Sequence, residues 1–180
     1  SWVGAGFDNY LMTPNPKTHR LLTRVAVENL FHPFQPFIIG QKSFATKIAQ
    51  LMKIPLIFFG ENEAEYGNPK KDNETALRGV SYFATPNDGE VHLGGVSTKE
   101  LKENYGLTEG DLDLYVPSSP ERIKKHGIEV HYLGYYLPWH PQEAYYYAVE
   151  HGGFQASPER TPGTYSKYNS IDDKIDDLHY

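Results

Sequence analysis

Ile54-Pro55-Leu56-Ile57-Phe58-Phe59-Gly60 is a short, unbroken apolar run that stops on a glycine. A run of this length without alternation reads as a strand buried on both faces, and hence as part of a parallel sheet. Pro55 is tolerable because it stands near the start of the strand. Directly upstream, Gln41 to Lys53 fits a helix with Phe44, Ile48, Leu51 and Met52 as its buried stripe. Helix, short connection and buried strand is the rhythm of an α/β fold.

Moving toward the N-terminus, Asn15-Pro16 offers a capping side chain and a proline for a first helical turn. Leu22, Ala26 and Leu30 then recur every four residues, which predicts a helix over about 16–31, ended by His32-Pro33 and Gln35-Pro36. Moving the other way, residues 68–127 are rich in Gly, Pro, Asn and charge. Ser97-Thr98-Lys99-Glu100 and Thr108-Glu109-Gly110-Asp111 have capping-box spacing, and Ser119-Pro120 starts another short helix. This stretch reads as an insertion, either a substrate lid or a solvated connector. Ile128 to Tyr136 reads as a second core strand. Pro141 opens a helix to about His151 that Gly152-Gly153 stops.

The expected organisation is therefore one α/β domain in three stretches. Residues 1–67 form the first part of the core, 68–127 the insertion, and 128–180 the rest of the core with the start of a C-terminal helix. That last helix would be capped by Ser170 and carry Ile171, Ile175 and Leu178 at helical spacing. Both ends read as interior to a longer protein.

Composition narrows the function. The 180 residues are 39% hydrophobic and 22% charged, ordinary values for a globular chain. A net charge of −6 without a basic block argues against broad nucleic-acid binding, which needs clustered Lys and Arg. With no cysteine, disulfides, thiolate zinc sites and cysteine nucleophiles are excluded. No apolar run approaches the roughly 20 residues that span a bilayer, and Ser1-Trp2-Val3-Gly4 does not open like a signal peptide. The expectation is a cytoplasmic protein with no membrane insertion. Fourteen Tyr and two Trp supply flat surfaces with polar handles, suited to sugars and bases and equally to partly buried packing.

The densest chemistry is Gly60-Glu61-Asn62-Glu63-Ala64-Glu65-Tyr66-Gly67-Asn68, immediately after the apolar run. Ligands of open α/β sheets bind beyond the carboxyl ends of strands. Three carboxylates within five residues need compensation. Mg²⁺ held with nucleotide phosphates, through Glu61 and Glu63, is one compensator. A carboxylate taking a proton from an attacking amine is a second use. A helix N-terminus decorated with acids is the plain alternative, and the helix dipole favours it. Gly40-Gln41-Lys42 could touch an anion at a helix start, although it is not a Walker A loop. Gly94-Gly95 resembles a phosphate loop only superficially, since no long buried strand precedes it. Trp139-His140-Pro141 follows the second strand. With the 160–169 loop, which contains Tyr165 and Lys167, it could wall a sugar or base.

These stretches carry a resemblance. His32-Pro33-Phe34-Gln35-Pro36-Phe37-Ile38-Ile39-Gly40-Gln41, followed by Phe59-Gly60-Glu61-Asn62-Glu63-Ala64-Glu65-Tyr66-Gly67, resembles the N-acetyl sugar amidotransferase family. Tyr132-Leu133-Gly134, Tyr136-Leu137-Pro138-Trp139 and Gly163-Thr164-Tyr165 through Asp172-Asp173-Lys174 look like later blocks of that family, in the same order. The resemblance implies part of a PP-loop ATPase of lipopolysaccharide and O-antigen synthesis. Such an enzyme converts an acetamido group on a nucleotide-linked N-acetyl sugar to an acetamidino group. ATP with Mg²⁺ would activate the amide oxygen by adenylylation, and ammonia from a glutaminase, passed through a cyclase-like subunit, would displace AMP.

Carried over residue by residue, the resemblance implies that Glu61, Asn62, Glu63 and Glu65 line the reacting centre. Gly60, Gln41 and Lys42 would meet the nucleotide, and Trp139, His140, Tyr165 and Lys167 the sugar nucleotide. The family's S-G-G-x-D-S loop and its metal-binding cysteines would lie upstream of Ser1, so this chain alone should not catalyse the reaction. A non-catalytic nucleotide-sugar or partner-binding module, and another adenylating PP-loop ligase, are the alternatives.

Overall fold

The computed structural model describes residues 3–60, 75–86, 89–137, 140–161 and 165–168. Contacts divide the chain into two compact units, Met12–Leu137 and a second that joins Ser1–Leu11 to Pro138–Tyr180.

The larger unit begins with α1, Pro16–Leu30, whose first turn is capped by Asn15 accepting from Lys17 N. Leu22, Val25 and Ala26 are buried on one side, as the four-residue repeat requires. The helix stops where Phe31 turns left-handed, with its N–H meeting the carbonyls of Ala26 and Val27. The second helix, α2, spans Gln35–Met52 and so starts six residues earlier than the sequence suggested. Pro36 does not end anything. It lies in the first turn, where a missing N–H is no loss.

The face that α2 buries also differs from expectation. Leu51 is 74% and Met52 45% exposed, whereas Gly40, Ser43, Thr46, Ala49 and Gln50 are buried. Small side chains let the helix approach the 112–118 segment closely. A Cβ on Gly40 would lie 3.6 Å from the Tyr115 ring. Polar atoms on this face are satisfied: Ser43 Oγ donates to Val116 O (3.1 Å) and Gln50 Nε2 to Ser118 Oγ (2.8 Å).

Strand β1, Leu56–Phe59, follows, and the sheet is mixed with helices in the expected α/β manner. Farther on come a hairpin of β2, His92–Leu93, and β3, Val96–Ser97; then α3, Thr98–Tyr105; α4, Glu109–Leu112; and α5, Pro120–Lys125. Ser97 and Ser119 cap their helices as read, and Thr108 with Asp111 forms a full reciprocal capping box. Gly94 and Gly95, with φ of 63° and 78°, make the two-residue hairpin turn, which accounts for them without a phosphate.

Strand β4, Glu129–Tyr132, pairs with β1 in parallel, Leu56 opposite Glu129 and Phe59 opposite Tyr132. The chain from Leu133 to Tyr136, read as a continuation of the strand, is instead a single helical turn, α6, closed by Leu137 N donating to Leu133 O.

Strand β1 is not buried on both faces. Ile57 and Phe59 pack on a core of Ala49, Phe83, Ala84, Ile123, Ile128 and Val130. Leu56 and Phe58 point the other way and are 41% and 48% exposed. Among the described residues, one layer covers the sheet rather than two, so an unbroken apolar run has one wet face. A second core joins Leu22 and Val25 of α1 to Val91, Leu93, Val96, Leu101, Leu112 and Tyr115. Residues of the 68–127 stretch thus supply much of the packing in this unit, although they enter the chain between the two paired strands.

In the smaller unit, α7 spans Pro141–Gly152 and ends on Gly153 in the left-handed region. Its Tyr145 stacks on Tyr168 with centroids 4.1 Å apart and meets Phe154 edge-on. The loop after α7 is closed on itself by Ser157 N donating to Lys167 O and Thr161 N to Ser166 O. No described helix is long and apolar enough to cross a membrane.

Candidate functional site

The carboxyl end of the β1–β4 pair collects charged and aromatic groups from four segments. Gly60 leaves β1 there and is exposed. Residues 75–78 run back along β4, with Leu77 bridging His131 and Arg78 N donating to Val130 O (2.8 Å). This places the Arg78 guanidinium 4.2 Å from the centre of the Tyr82 ring and 5.4 Å from that of Tyr132. The Lys42 ammonium from α2 lies 3.6 Å from the same Tyr82 ring. Two cations on one ring repel each other, and the ring's negative face offsets part of that cost. Ammonium and guanidinium groups are the side chains that meet phosphate or carboxylate oxygens.

On the open face of the same strands, Phe58 and His131 are register partners. The His131 imidazole lies between two oxygens. Its Nε2 is 3.2 Å from Glu129 Oε2, and its Nδ1 is 2.7 Å from the Tyr136 phenol oxygen. An ionised carboxylate only accepts, so Nε2 carries the hydrogen, and in the neutral ring Nδ1 accepts from the phenol. The Tyr136 ring stacks on His131 (11° between planes), and Phe58 meets both rings edge-on. Tyr136 itself remains 50% exposed.

A cavity of about 120 Å³ lies on the other side of α2, lined by Met12, Pro14, His19, Phe37, Gln41, Phe44 and Tyr115 among others. Burial pushes the Tyr115 phenol up to about 12 and pushes the His19 imidazole down. Both groups are therefore held neutral at ordinary pH, and the cavity is a poor place for charge.

The smaller unit has a groove of about 800 Å³ lined by Gln142, Tyr145, Ala156, Arg160, Tyr165, Ser166, Lys167 and Tyr168. Tyr168 anchors its floor, donating from its hydroxyl to Gln142 Oε1 (2.7 Å). Lys167 Nζ donates to Pro158 O (2.9 Å), and Tyr165 is almost fully exposed at 95%.

The candidates from sequence distribute unevenly over these places. Tyr165 and Lys167 come together with Arg160 in the groove. His140 precedes α7, is exposed, and does not line that groove. Lys42 reaches the carboxyl end of the sheet, whereas Gln41, its neighbour, turns to the apolar cavity. Gly60 stands at the strand end, and a Cβ there would meet nothing within 4 Å. Glu61, Asn62, Glu63, Glu65 and Trp139 lie outside the described residues, as do the suggested Mg²⁺ ligands and the helix begun at Ser170. Among the described residues, no three His, Asp or Glu side chains gather as a metal site.

No protein-family model matches this chain, and no curated protein matches it.

Sequence reasoning passed over Arg78, Tyr82, Glu129, His131 and Tyr136. Nothing in the local sequence marks Arg78, because its place depends on a bridge between segments more than 50 positions apart. His131 and Tyr136 were obscured by the strand reading itself. Five residues apart in a strand, they would point to opposite faces. The α6 turn reverses that parity.

Proposed function

We propose that the chain is part of an ATP-dependent amidotransferase that turns the acetamido group of a nucleotide-linked N-acetyl sugar into an acetamidino group. One observation supports this reading above the others. Lys42 and Arg78 converge on Tyr82 at the carboxyl end of a parallel strand pair, where Gly60 opens the acidic stretch. A nucleotide-dependent adenylylation needs cations for phosphate beside carboxylates for metal and proton handling, and the chain brings its cations to the end of the strand from which those carboxylates follow.

In this reading Lys42 and Arg78 bind phosphate oxygens, while Glu61, Asn62, Glu63 and Glu65 serve the reacting centre. Mg²⁺, when bound with ATP through Glu61 and Glu63, neutralises phosphate charge. Gln41 faces an apolar cavity, which suits an acyl methyl better than a phosphate. Ammonia comes from a glutaminase partner by way of a cyclase-like subunit, and the setting is O-antigen or lipopolysaccharide synthesis in the cytoplasm.

The test is formation of an acetamidino sugar by the intact protein from ATP, ammonium and a panel of UDP-N-acetyl sugars. Glu63→Gln should abolish product while the circular dichroism spectrum is unchanged. Near-normal turnover of that variant removes Glu63 from the centre, and no product from any sugar removes the activity.

A second reading, a nucleotide-sugar-binding module, is favoured by the groove in the smaller unit. Its stacked Tyr145–Tyr168 pair and the cations Arg160 and Lys167 suit a base or sugar with a diphosphate. Calorimetry with UDP-sugars in the presence and absence of Mg-ATP separates the two, since a pure binding module shows sugar affinity that ATP does not alter.

A further inference from the structure

The Glu129–His131–Tyr136 chain has no place in the reading above, and its chemistry is specific. A carboxylate holds one nitrogen of an imidazole, and the other nitrogen accepts a hydrogen bond from a phenol at 2.7 Å. This is the arrangement of a base, its orienting group and a proton carrier. The imidazole is the sheltered member, its side chain 17% exposed against 64% for Glu129. Stacking on Tyr136 and edge contact with Phe58 fix the plane of the ring. Tyr136, at the other end of the chain, is half exposed. The chain also lies at the right end of the sheet, because His131 pairs with Phe58, two residues before Gly60.

We infer that Tyr136 is the general base for the ammonia step, with His131 and Glu129 as positioning residues behind it. This rests on the amidotransferase reading. In that step the ammonia nitrogen forms a bond to the imidate carbon of the adenylylated amide as the C=N π pair moves onto the sugar nitrogen, which holds a proton, and the added nitrogen becomes a positively charged –NH₃⁺ substituent. That substituent loses one proton to the Tyr136 oxygen as Tyr136 passes its own proton to His131 Nδ1. The resulting imidazolium, N–H on both sides, is held by the Glu129 carboxylate. The carbon–oxygen bond to AMP then breaks with its electron pair on the AMP oxygen, leaving the amidine. On release of product the proton returns through Tyr136 to solvent.

The experiment compares two half-reactions in the intact protein. Sugar-dependent exchange of pyrophosphate into ATP reports adenylylation, which needs no base for ammonia. Product formation is then followed with ammonium and with hydroxylamine, a nucleophile whose adduct gives up its proton far more readily. Tyr136→Phe keeps the ring and its stacking. It should leave exchange within about twofold of wild type and lower ammonia-dependent product about a hundredfold, the usual scale of a general base. Hydroxylamine should restore most of the rate. His131→Gln should show the same split, and Glu129→Gln a smaller one.

Equal losses with both nucleophiles overturn the base role and leave a structural one. Wild-type rates in Tyr136→Phe, or loss of exchange in that variant, also overturn it while the amidotransferase reading stands. Absence of sugar-dependent exchange in the wild-type protein overturns both.

Discussion

His19 and Tyr115, 96 positions apart in sequence, share a 2.9 Å hydrogen bond between imidazole Nδ1 and phenol oxygen. Their rings stack with centroids 6.0 Å apart, and Tyr115 is 1% exposed. The pair ties α1 to the turn that follows α4 and closes one side of the apolar cavity. Two side chains that water would keep polar are thus kept neutral by burial, and this makes stability depend on pH at both ends of the scale.

On the alkaline side, the Tyr115 phenol is raised from 10.0 to about 12. The unfolded chain then ionises first, so the contribution is complete below pH 10 and is lost as pH climbs toward 12. Ionising Tyr115 in the folded chain costs roughly 3 kcal/mol more than in the unfolded one. Urea midpoints should be level up to about pH 9 and fall by about pH 11. Tyr115→Phe should start about 1 kcal/mol lower, for the lost hydrogen bond, and show a flatter alkaline slope.

On the acid side His19 acts first, and Asp111 and Glu121 act below it. His19 is lowered from 6.5 by burial, so its contribution is present above that value and is lost as pH falls through it. Asp111 is lowered from 3.8, first by the Thr108 hydroxyl, then by the Thr108 backbone N–H, with Thr18 adding a smaller share. Its contribution is present above 3.8 and goes as pH drops below. Glu121 is lowered from 4.5 by its own backbone N–H and then by the Ser119 hydroxyl, and its contribution goes in the same range. Melting temperature against pH should therefore fall in two stages, and Asp111→Asn should shrink only the lower one.

Gly94→Ala should be among the costliest single-methyl changes in the larger unit. The residue sits at φ of 63°, and a Cβ there would come within 2.7 Å of Ala26 N, a backbone atom of α1 that cannot move aside. A loss of about 3 kcal/mol is expected from strain and overlap together. Gly106→Ala has a similar φ of 68° with nothing within 4 Å and should lose only about 1 kcal/mol. Equal losses in denaturant titrations would show that helix α1 yields to the hairpin.

Arg160→Met tests the groove of the smaller unit. Arg160 lines the groove beside the stacked Tyr145–Tyr168 pair, with Lys167 as the other cation. UDP-sugar affinity should weaken about tenfold, and its salt dependence should become shallower. Unchanged affinity by calorimetry would take the diphosphate out of this groove.

The local signals were legible wherever one residue type has one job. Asn15, Ser97, Thr108 and Ser119 cap helices because a side-chain oxygen next to a helical run satisfies N–H groups the helix leaves open. The same is true of the parallel pairing of the apolar run at 56–59 and the stop at Gly153. The buried stripe of α2 was not legible. Apolar periodicity marks which residues can be buried, but the 112–118 segment packs so close that Gly40, Ser43 and Thr46 go inside while Leu51 stays out.

The candidate site divides along the same line. The sequence by itself determined that an acidic stretch follows an apolar strand at Gly60, since that is a matter of neighbours in the chain. Only the tertiary structure decided what stands at the strand's end. Arg78 arrives by bridging β4, Lys42 leans on Tyr82 while Gln41 turns away, and one turn of helix returns Tyr136 to His131. A side chain's direction is set by the backbone periodicity that carries it, and its partner by packing between segments far apart in sequence. Neither can be read from residue type alone.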